Sequence, residues 1–240
     1  MKKLIRSIIT TFHFAWFGIG ALVARYMVFP FQKGKKQSYK TLENIWIFFI
    51  KMLTTSKIIK ITCDVERLKN IKNSVIVSTH PSFLDIVVLM SIIPNSTCFV
   101  SEKLSRNFFL QGIVKYLFIL EGQDLNQWLN EACQKLEEGK NVIIFPMGTR
   151  HKKNEFLKIR RGAAMIAQKS HKDIVILDIE TSIDFLQRHQ SFYEAGEDTV
   201  EYTITYVDKL DTEEYLKKYP DKVTFKTEVT KLLTKILYKQ

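Results

Sequence analysis

Residues 75–90, with the sequence VIVSTHPSFLDIVVLM, run from an apolar β-branched segment through a polar corner into a second apolar segment. The polar stretch KNS precedes the first segment, which is typical of a short strand buried in an α/β sheet. Pro81 is suited to the first turn of a helix, where its missing N–H costs no hydrogen bond. The pattern predicts a strand, a corner and a helix, with His80 and Asp85 at the corner.

The spacing of His80 and Asp85 restricts how these two side chains can meet. On a continuous helix, side chains three or four residues apart face one another, and those five apart do not. If His80 lies just before the helix, the chain can fold the Asp85 carboxylate back to the imidazole and orient it as a general base. Such a pair has no nucleophile of its own, so a substrate hydroxyl would attack. The alternative is that His80 caps the helix and Asp85 is an ordinary first-turn acid.

A second stretch favours the catalytic interpretation. Residues 141–150, NVIIFPMGTR, form another apolar strand that ends in a polar turn, and residues 158–167 follow as KIRRGAAMIA. The two stretches resemble signatures of the glycerolipid acyltransferase family, typified by the lysophosphatidic acid acyltransferases. The family signature N-H-x-x-x-x-D matches residues 79–85 as THPSFLD, and F-P-E-G-T-R matches residues 145–150 as FPMGTR.

Two weaker similarities lie around these signatures. Residues 99–104, FVSEKL, look like the lysine-bearing strand of the family, and residues 161–167 resemble its small-residue helix. The resemblance covers roughly residues 70–180. Two ordered motifs at the expected separation make it specific.

The resemblance implies an O-acyltransferase of lipid biosynthesis. It would move a fatty acyl group from acyl-CoA or acyl carrier protein to the hydroxyl of a lipid acceptor, lysophosphatidic acid or another lysolipid, without a cofactor. His80 would be the general base and Asp85 its orienter. A tight turn at glycine would let amides near the following threonine approach an oxyanion or phosphate. The substrate-binding residues implied are Gly148, Thr149, Arg150 and Lys103.

Departures from the family concern the acceptor. The family usually places an arginine after the next apolar strand, whereas residues 116–124 read YLFILEGQD without one. Residues 173–179, DIVILDI, lack the proline of the fourth signature, and Met147 replaces the signature glutamate. Arg150 is then the main phosphate contact from these signatures, where the family would bring two arginines. We therefore predict that lysophosphatidic acid is a poorer acceptor than another lipid hydroxyl.

Charge and cysteine content indicate the surroundings of the protein. Lys and Arg number 36 against 25 Asp and Glu, a net charge of +11 that suits an anionic membrane surface, a polyphosphate or nucleic acid. No zinc-finger spacing or basic block with interleaved aromatics supports nucleic acid. Cys63, Cys98 and Cys133 lie in apolar or helical segments, which indicates reduced thiols in a cytosolic domain. The histidines show no metal-ligand spacing, so no metal is expected.

The N-terminal residues predict a membrane-associating segment. Residues 7–24 contain no Asp, Glu, Lys or Arg, His13 being the one titratable side chain, and they are just long enough to span a bilayer. A signal peptide is an alternative, but no A-x-A cleavage site follows. Residues 41–53 form a second apolar segment, interrupted by Lys51. Two aromatic-rich helices joined by a basic loop fit a hairpin in one leaflet, on the cytoplasmic face of the cell membrane. The other possibility is that both helices simply cover the sheet.

From residue 61 onward, apolar strand patterns alternate with helical patterns, which predicts an α/β fold. The sheet is expected to be mixed, largely parallel and flanked by helices, with a two-helix N-terminal segment. We expect a membrane-associating hairpin at residues 1–58 and an α/β domain at residues 59–240. The predicted strands lie near residues 61–65, 74–79, 97–101, 117–120, 141–145, 174–180 and 200–207.

Two other functions fit the same residues. A non-catalytic membrane or lipid-carrier binding module of this fold would explain Met147, because a thioether cannot replace a carboxylate as a charged hydrogen-bond acceptor. A thioesterase would use water in place of the acceptor hydroxyl at His80. The joint presence of His80, Asp85, Gly148 and Arg150 favours the transferase.

Overall fold

The computed structural model describes residues 2–31, 34–101, 106, 117–121, 124–150, 155–187, 190–191, 194 and 196–239. In this part of the chain, seven strands form one sheet in the order β1-β7-β6-β2-β5-β3-β4. All neighbouring pairs are parallel except β6 and β7, which are antiparallel. The strands are β1 (Ile59–Cys63), β2 (Val75–Ser78), β3 (Ser96–Val100), β4 (Ile119–Leu120), β5 (Asn141–Ile144), β6 (Ile174–Thr181) and β7 (Val200–Leu210).

Helices in the described residues connect and cover these strands. Several begin at an aspartate whose carboxylate accepts a hydrogen bond from a backbone N–H of the first turn, which satisfies an otherwise unpaired donor. The helices are α1 (Lys2–Val23), α2 (Lys35–Thr55), α3 (Val65–Lys69), α4 (Asp85–Ile92), α5 (Leu125–Glu137), α6 (Gly162–Ser170), α7 (Thr212–Lys218) and α8 (Lys222–Leu237). A π-helical turn (Ala24–Val28) and a 3-10 turn (Phe29–Phe31) continue α1.

Alternating side chains of the central strands divide the core into two layers. Ile76 of β2 and Ile143 of β5 lie in the layer that contains α2 and α4. Their neighbours Val77 and Ile144 lie in the layer that contains α5, α6 and α8. Because both faces are covered, β2, β3 and β5 are buried along their whole length. The carboxyl ends of these strands carry the polar corners identified in the sequence.

Helix α1 has a polar and aromatic inner face. The Arg6 guanidinium donates to the carbonyls of Lys57 and Asp198 at 3.0 and 2.6 Å, and Nε2 of His13 is hydrogen-bonded to the Ser56 hydroxyl. Phe17 is in ring contact with both Trp46 and Phe49 of α2. These contacts attach α1 to α2 and to the residues that precede β1 and β7, at the edge of the sheet where β6 ends.

The outer face of α1 carries an exposed apolar side chain at every third or fourth position, and together these side chains form an apolar stripe. The most apolar 18-residue window of the continuous helical segment Lys2–Phe31 has a mean hydropathy of 1.6, and only 17 % of this window is buried. By length and composition, this segment could cross a membrane. The large exposed side chains of the apolar stripe are Leu4, Ile5, Ile8, Phe12, Trp16, Ile19, Val23 and Met27.

The predicted fold class is confirmed, with the sheet mixed, largely parallel and flanked by helices. Each predicted strand is present, although β1 begins at Ile59 and ends before Asp64, which caps α3. The expectation that Pro81 opens a helix is wrong, because α4 begins only at Asp85 and residues 82–84 form a turn. The division of the chain at residues 58 and 59 stays a prediction.

Asn141 is a buried polar residue that connects the segments at the amino ends of β2, β3 and β5. Its side-chain amide donates to the carbonyls of Ile71 and Pro94 and accepts from the Ser74 N–H, at 3.0–3.1 Å. Asn141→Leu leaves these buried groups unpaired and is expected to lower the free energy of unfolding by about 3 kcal/mol. Urea denaturation measures the change, with Gln127→Leu, at an exposed amide, as control. Equal stability of both variants would contradict this assignment.

Candidate active site

His80 and Asp85 form a hydrogen-bonded pair just beyond the carboxyl end of β2. Nδ1 of His80 lies 2.8 Å from Oδ2 of Asp85. An ionised carboxylate can only accept, so the proton of the neutral ring lies on Nδ1 and Nε2 carries the lone pair. The His80 side chain is 15 % exposed and lines a cavity, whereas Asp85 is completely buried. The pair therefore presents one basic nitrogen to whatever occupies the cavity.

The turn before α4 explains how residues five apart can meet. The Ser82 N–H donates to the same Oδ2 at 2.8 Å, and the Ser82 hydroxyl accepts from the Leu84 N–H. The chain is thereby folded between Pro81 and Asp85, which returns the carboxylate to the imidazole. Burial raises the pKa of Asp85, while the hydrogen bonds from His80 and Ser82 and the charge of Arg150 oppose the shift.

Thr79 fixes the corner to the neighbouring strand. Its hydroxyl donates to Oδ1 of Asp178 at 2.9 Å and accepts from the Ile179 N–H at 2.6 Å. Thr79 stands at the position of the signature asparagine, so this tie between β2 and β6 is made by a hydroxyl in this chain. The backbone that carries His80 is held at its base by these two bonds.

The turn after β5 supplies the wall behind the imidazole. The rings of His80 and Phe145 stack with their centroids 4.0 Å apart and their planes at 15°. Gly148 has φ +71°, a conformation that disfavours a side chain, and its N–H donates to the Phe145 carbonyl at 3.0 Å. A Cβ at Gly148 would lie 2.5 Å from the Arg160 guanidinium carbon. Glycine is thus favoured by the backbone conformation of the turn, and its lack of a side chain leaves room for the flexible Arg160 side chain.

Met147 lies on the other side of this turn. Its side chain is 4 % exposed and packs in the core layer that contains α5, α6 and α8. The thioether is an apolar packing residue and is not part of the cavity wall. At the position of the signature glutamate, this chain therefore has an apolar side chain packed in the core, and His80 keeps its partner Asp85.

Arg150 joins the turn to a loop that follows β6. Its Nη1 donates to the carbonyls of Leu186 and Gln187 at 2.7 and 3.0 Å. The Leu186 carbonyl also accepts from the Phe83 N–H, which lies in the turn before α4. Part of the guanidinium is therefore engaged by the protein, although Arg150 still lines the cavity.

The cavity beside His80 has a volume of about 770 Å³. Its polar mouth contains His80, Thr149 and Arg150, and its walls run between α1, α2 and α4. This volume lies within the range of about 300–1,000 Å³ that is usual for small-molecule sites. Its apolar lining includes Phe14, Phe17, Trp46, Phe49, Leu84, Val87 and Phe118. The arrangement suits a ligand with a long apolar chain and a polar reacting end.

Sequence reasoning missed Glu121 and Arg160. Glu121 follows β4 directly and lines the cavity; burial raises the pKa of its carboxyl, and the charges of Arg160 and His80 lower it. The signal that could have found Glu121 is its position as the first polar residue after a strand. Arg160 has no such signal, because its place against Gly148 depends on how the 155–161 segment returns to the turn.

The predicted site residues His80, Asp85, Gly148, Thr149 and Arg150 are brought together around the turn and the cavity. The predicted residue Lys103 lies outside the described residues. Among the residues that the structure describes, no three His, Cys, Asp or Glu side chains group as metal ligands would.

Acyltransferases occur both among the sequence relatives of this chain and among the solved structures that resemble it. The human 1-acyl-sn-glycerol-3-phosphate acyltransferase beta is 26 % identical over 145 residues, which is 58 % of this chain and 52 % of that protein. The Helicobacter pylori 1-acyl-sn-glycerol-3-phosphate acyltransferase is 32 % identical over 101 residues, 39 % of this chain and 43 % of that protein. The chain therefore spans about half the length of these curated relatives.

The fold has a counterpart among solved structures. The crystal structure of the 1-acyl-sn-glycerophosphate (LPA) acyltransferase PlsC from Thermotoga maritima superposes with a TM-score of 0.69 at 17 % identity, and the match covers 98 % of this chain and 95 % of that one. The family model described as Acyltransferase matches residues 60–181, half of the chain, and includes both signatures. The chain belongs to the acyltransferase family.

Proposed function

We propose that the protein is an O-acyltransferase that moves a fatty acyl group from a thioester of coenzyme A or acyl carrier protein to the hydroxyl of a lysolipid. The observation that carries this proposal is the His80–Asp85 pair at the mouth of an apolar cavity of about 770 Å³. The relatives named as 1-acyl-sn-glycerol-3-phosphate acyltransferases support the same reaction class.

The geometry fits one acid–base cycle. Nε2 of His80 takes the proton of the acceptor hydroxyl while the hydroxyl oxygen bonds to the thioester carbonyl carbon. When the tetrahedral intermediate collapses, the C–S bond breaks and the departing thiolate takes the proton from His80. Asp85 holds the ring and stabilises the imidazolium between these steps. The thioester is already activated, so no cofactor is required beyond the donor.

The oxyanion of the tetrahedral intermediate needs a hydrogen-bond donor near the turn after β5. The Gly148 N–H is used within the turn by the Phe145 carbonyl, so it is not free for this purpose. Thr149 lines the cavity beside His80 and is the candidate donor that remains from the signature. Arg150 adds positive charge at the same mouth.

The two rival functions make different use of this site. The support for a non-catalytic module was Met147, and Met147 packs in the core away from the cavity. A thioesterase would need water at His80, whereas the apolar stripe of α1 suits an enzyme whose acceptor resides in a membrane. Thiol release that no added lipid diverts into acylated product would favour the thioesterase.

We expect His80→Ala to lower the rate of acyl transfer by about two to four orders of magnitude, the usual contribution of a positioned base. Asp85→Asn should be similarly severe, because an amide no longer selects the tautomer. The control is His171→Ala, since His171 is an exposed histidine outside the cavity. Thiol release from long-chain acyl thioesters with mixed lysolipids gives the rate. A folded His80→Ala protein with near-normal transfer would exclude His80 as the base.

We propose monotopic attachment of α1 and α2 to the cytoplasmic face of the membrane. The inner face of α1 is hydrogen-bonded to the rest of the protein through Arg6 and His13, which a free transmembrane helix would not require. The outer face is apolar along its length, and the net charge of +11 suits anionic headgroups. Cleavage of the α/β domain by protease added outside intact cells would contradict this topology.

If the apolar stripe of α1 contacts the membrane, charged substitutions in it should weaken membrane binding. Ile8→Glu combined with Phe12→Glu places charge on exposed positions of α1 and is expected to reduce binding to vesicles with anionic lipid at least about tenfold, because each charge would have to enter the apolar boundary. Val223→Glu is the matched control, since Val223 is 60 % exposed, as Ile8 is, but lies on α8. Cosedimentation measures binding. Equal binding of the double variant and the control would place the membrane contact elsewhere.

The acceptor headgroup stays a prediction. Nη1 of Arg150 already donates to two backbone carbonyls, so the guanidinium has fewer N–H groups left for a phosphate. We expect lysophosphatidic acid to be acylated with a lower kcat/KM than the best of the other lysophospholipids, lysoglycolipids and hydroxy-acyl lipids. A steady-state comparison at one donor concentration measures the ranking. The highest kcat/KM with lysophosphatidic acid would show this expectation to be wrong.

A further inference from the structure

A second concave site lies beside the turn after β5 and has no part in the catalytic step. It is a groove of about 560 Å³ between the 157–161 segment and helix α8. Its floor contains the apolar parts of Leu157 and Ile159, which pack on the core layer beneath. The opposite wall is a row of threonines one turn apart on α8, namely Thr227, Thr230 and Thr234.

The groove is strongly basic. Its described lining includes Lys158, Arg160, Arg161 and Lys231 and no carboxylate. Lys231 forms an exposed ion pair with Glu228 at 2.7 Å, and such pairs contribute little and exchange readily. Because the threonine hydroxyls donate to carbonyls of their own helix, their oxygens keep lone pairs for a ligand's donors. The groove thus combines an apolar floor with a cationic rim and hydrogen-bond acceptors.

The groove is preformed by specific contacts. The Tyr238 hydroxyl lies between both backbone groups of Leu157, accepting from the N–H at 2.8 Å and donating to the carbonyl at 2.6 Å. At the other end of the segment, the Arg160 N–H donates to the Pro146 carbonyl at 2.9 Å. The 157–161 segment is therefore fixed both to the end of α8 and to the signature turn.

Arg160 connects the groove to the catalytic cavity. Its guanidinium lies against Gly148, which lines the cavity, while Arg160 also lines the groove. Helices α1 and α2 pack on the face of the sheet opposite to α8. The acyl cavity and the basic groove consequently lie on different sides of the turn, with the reacting centre between them.

We propose that this groove binds the 3′-phosphorylated adenine nucleotide of coenzyme A, so that a bound acyl-CoA passes over the turn with its acyl chain in the cavity. This inference rests on the proposed function, in which acyl-CoA is a donor of the acyl group. The nucleotide carries several phosphate charges and a flat apolar base, which match the cationic rim and the apolar floor. Lipid headgroups are a poorer match, because the apolar stripe that faces lipid belongs to helices on the opposite face of the sheet.

The competing occupant is an acidic helix of acyl carrier protein. A groove of about 560 Å³ is the size of a small-molecule site, whereas a protein helix needs a longer exposed channel or a broad surface. Coenzyme A is therefore the occupant that the shape favours, and the carrier protein becomes one outcome of the test.

The test uses Lys158→Ala combined with Lys231→Ala in the full-length protein. Calorimetry measures the affinity for free coenzyme A. The affinity of the double variant is expected to be about tenfold lower, because two exposed charge contacts are lost. The wild-type preference for coenzyme A over dephospho-coenzyme A should shrink as well. With acyl-CoA as donor, KM should rise about tenfold at unchanged kcat, since neither lysine lines the catalytic cavity. Lys222→Ala, on an exposed lysine of α8 outside the groove, is the control.

The outcomes separate this inference from the proposed function. Unchanged coenzyme A affinity in the double variant, or no coenzyme A binding by the wild type, overturns the groove assignment. A defect confined to transfer from acyl carrier protein overturns it in favour of the protein carrier. Groove-dependent coenzyme A binding without acyl transfer to any lysolipid leaves the nucleotide site standing and contradicts the proposed function alone.

Discussion

The hydrogen bond between His80 and the buried carboxylate of Asp85 is the interaction on which the site depends. A carboxylate without solvent is costly unless it is paired, and Asp85 accepts from both His80 and the Ser82 N–H. These partners hold the 80–85 turn in the form that returns the carboxylate to the ring. The same bonds fix the tautomer, so the local fold and the basicity of Nε2 have one physical origin.

The turn after β5 organises the space around this pair. Phe145 stacks on the imidazole, Gly148 admits Arg160 at close range, and Met147 anchors the turn in the core. Because parallel strands bring their carboxyl ends to one edge, the corners after β2 and β5 meet there. One edge of the sheet thus separates an apolar cavity on one side from a basic groove on the other.

Helix α1 has different chemistry on its two sides. Arg6 and His13 are hydrogen-bonded to residues at the end of α2 and beyond it, and Phe17 packs on Trp46 of α2. The helix also supplies part of the cavity wall. The surface proposed to contact lipid therefore belongs to the same helix that lines the cavity, an arrangement that would bring a membrane acceptor close to His80.

The α/β class, the approximate positions of the seven strands and the residue types at the two corners follow from patterns that are local in the chain. Strand periodicity is a local signal, and the two motifs resemble family signatures, so His80, Asp85, Gly148 and Arg150 could be chosen as candidate site residues before the structure was known. Three features became apparent from the folded arrangement alone: α4 begins at Asp85 after a turn whose Phe83 N–H is bonded to Leu186, Arg150 donates to backbone carbonyls, and Arg160 approaches Gly148. Those features depend on contacts between segments distant in the chain, whose geometry no local pattern encodes.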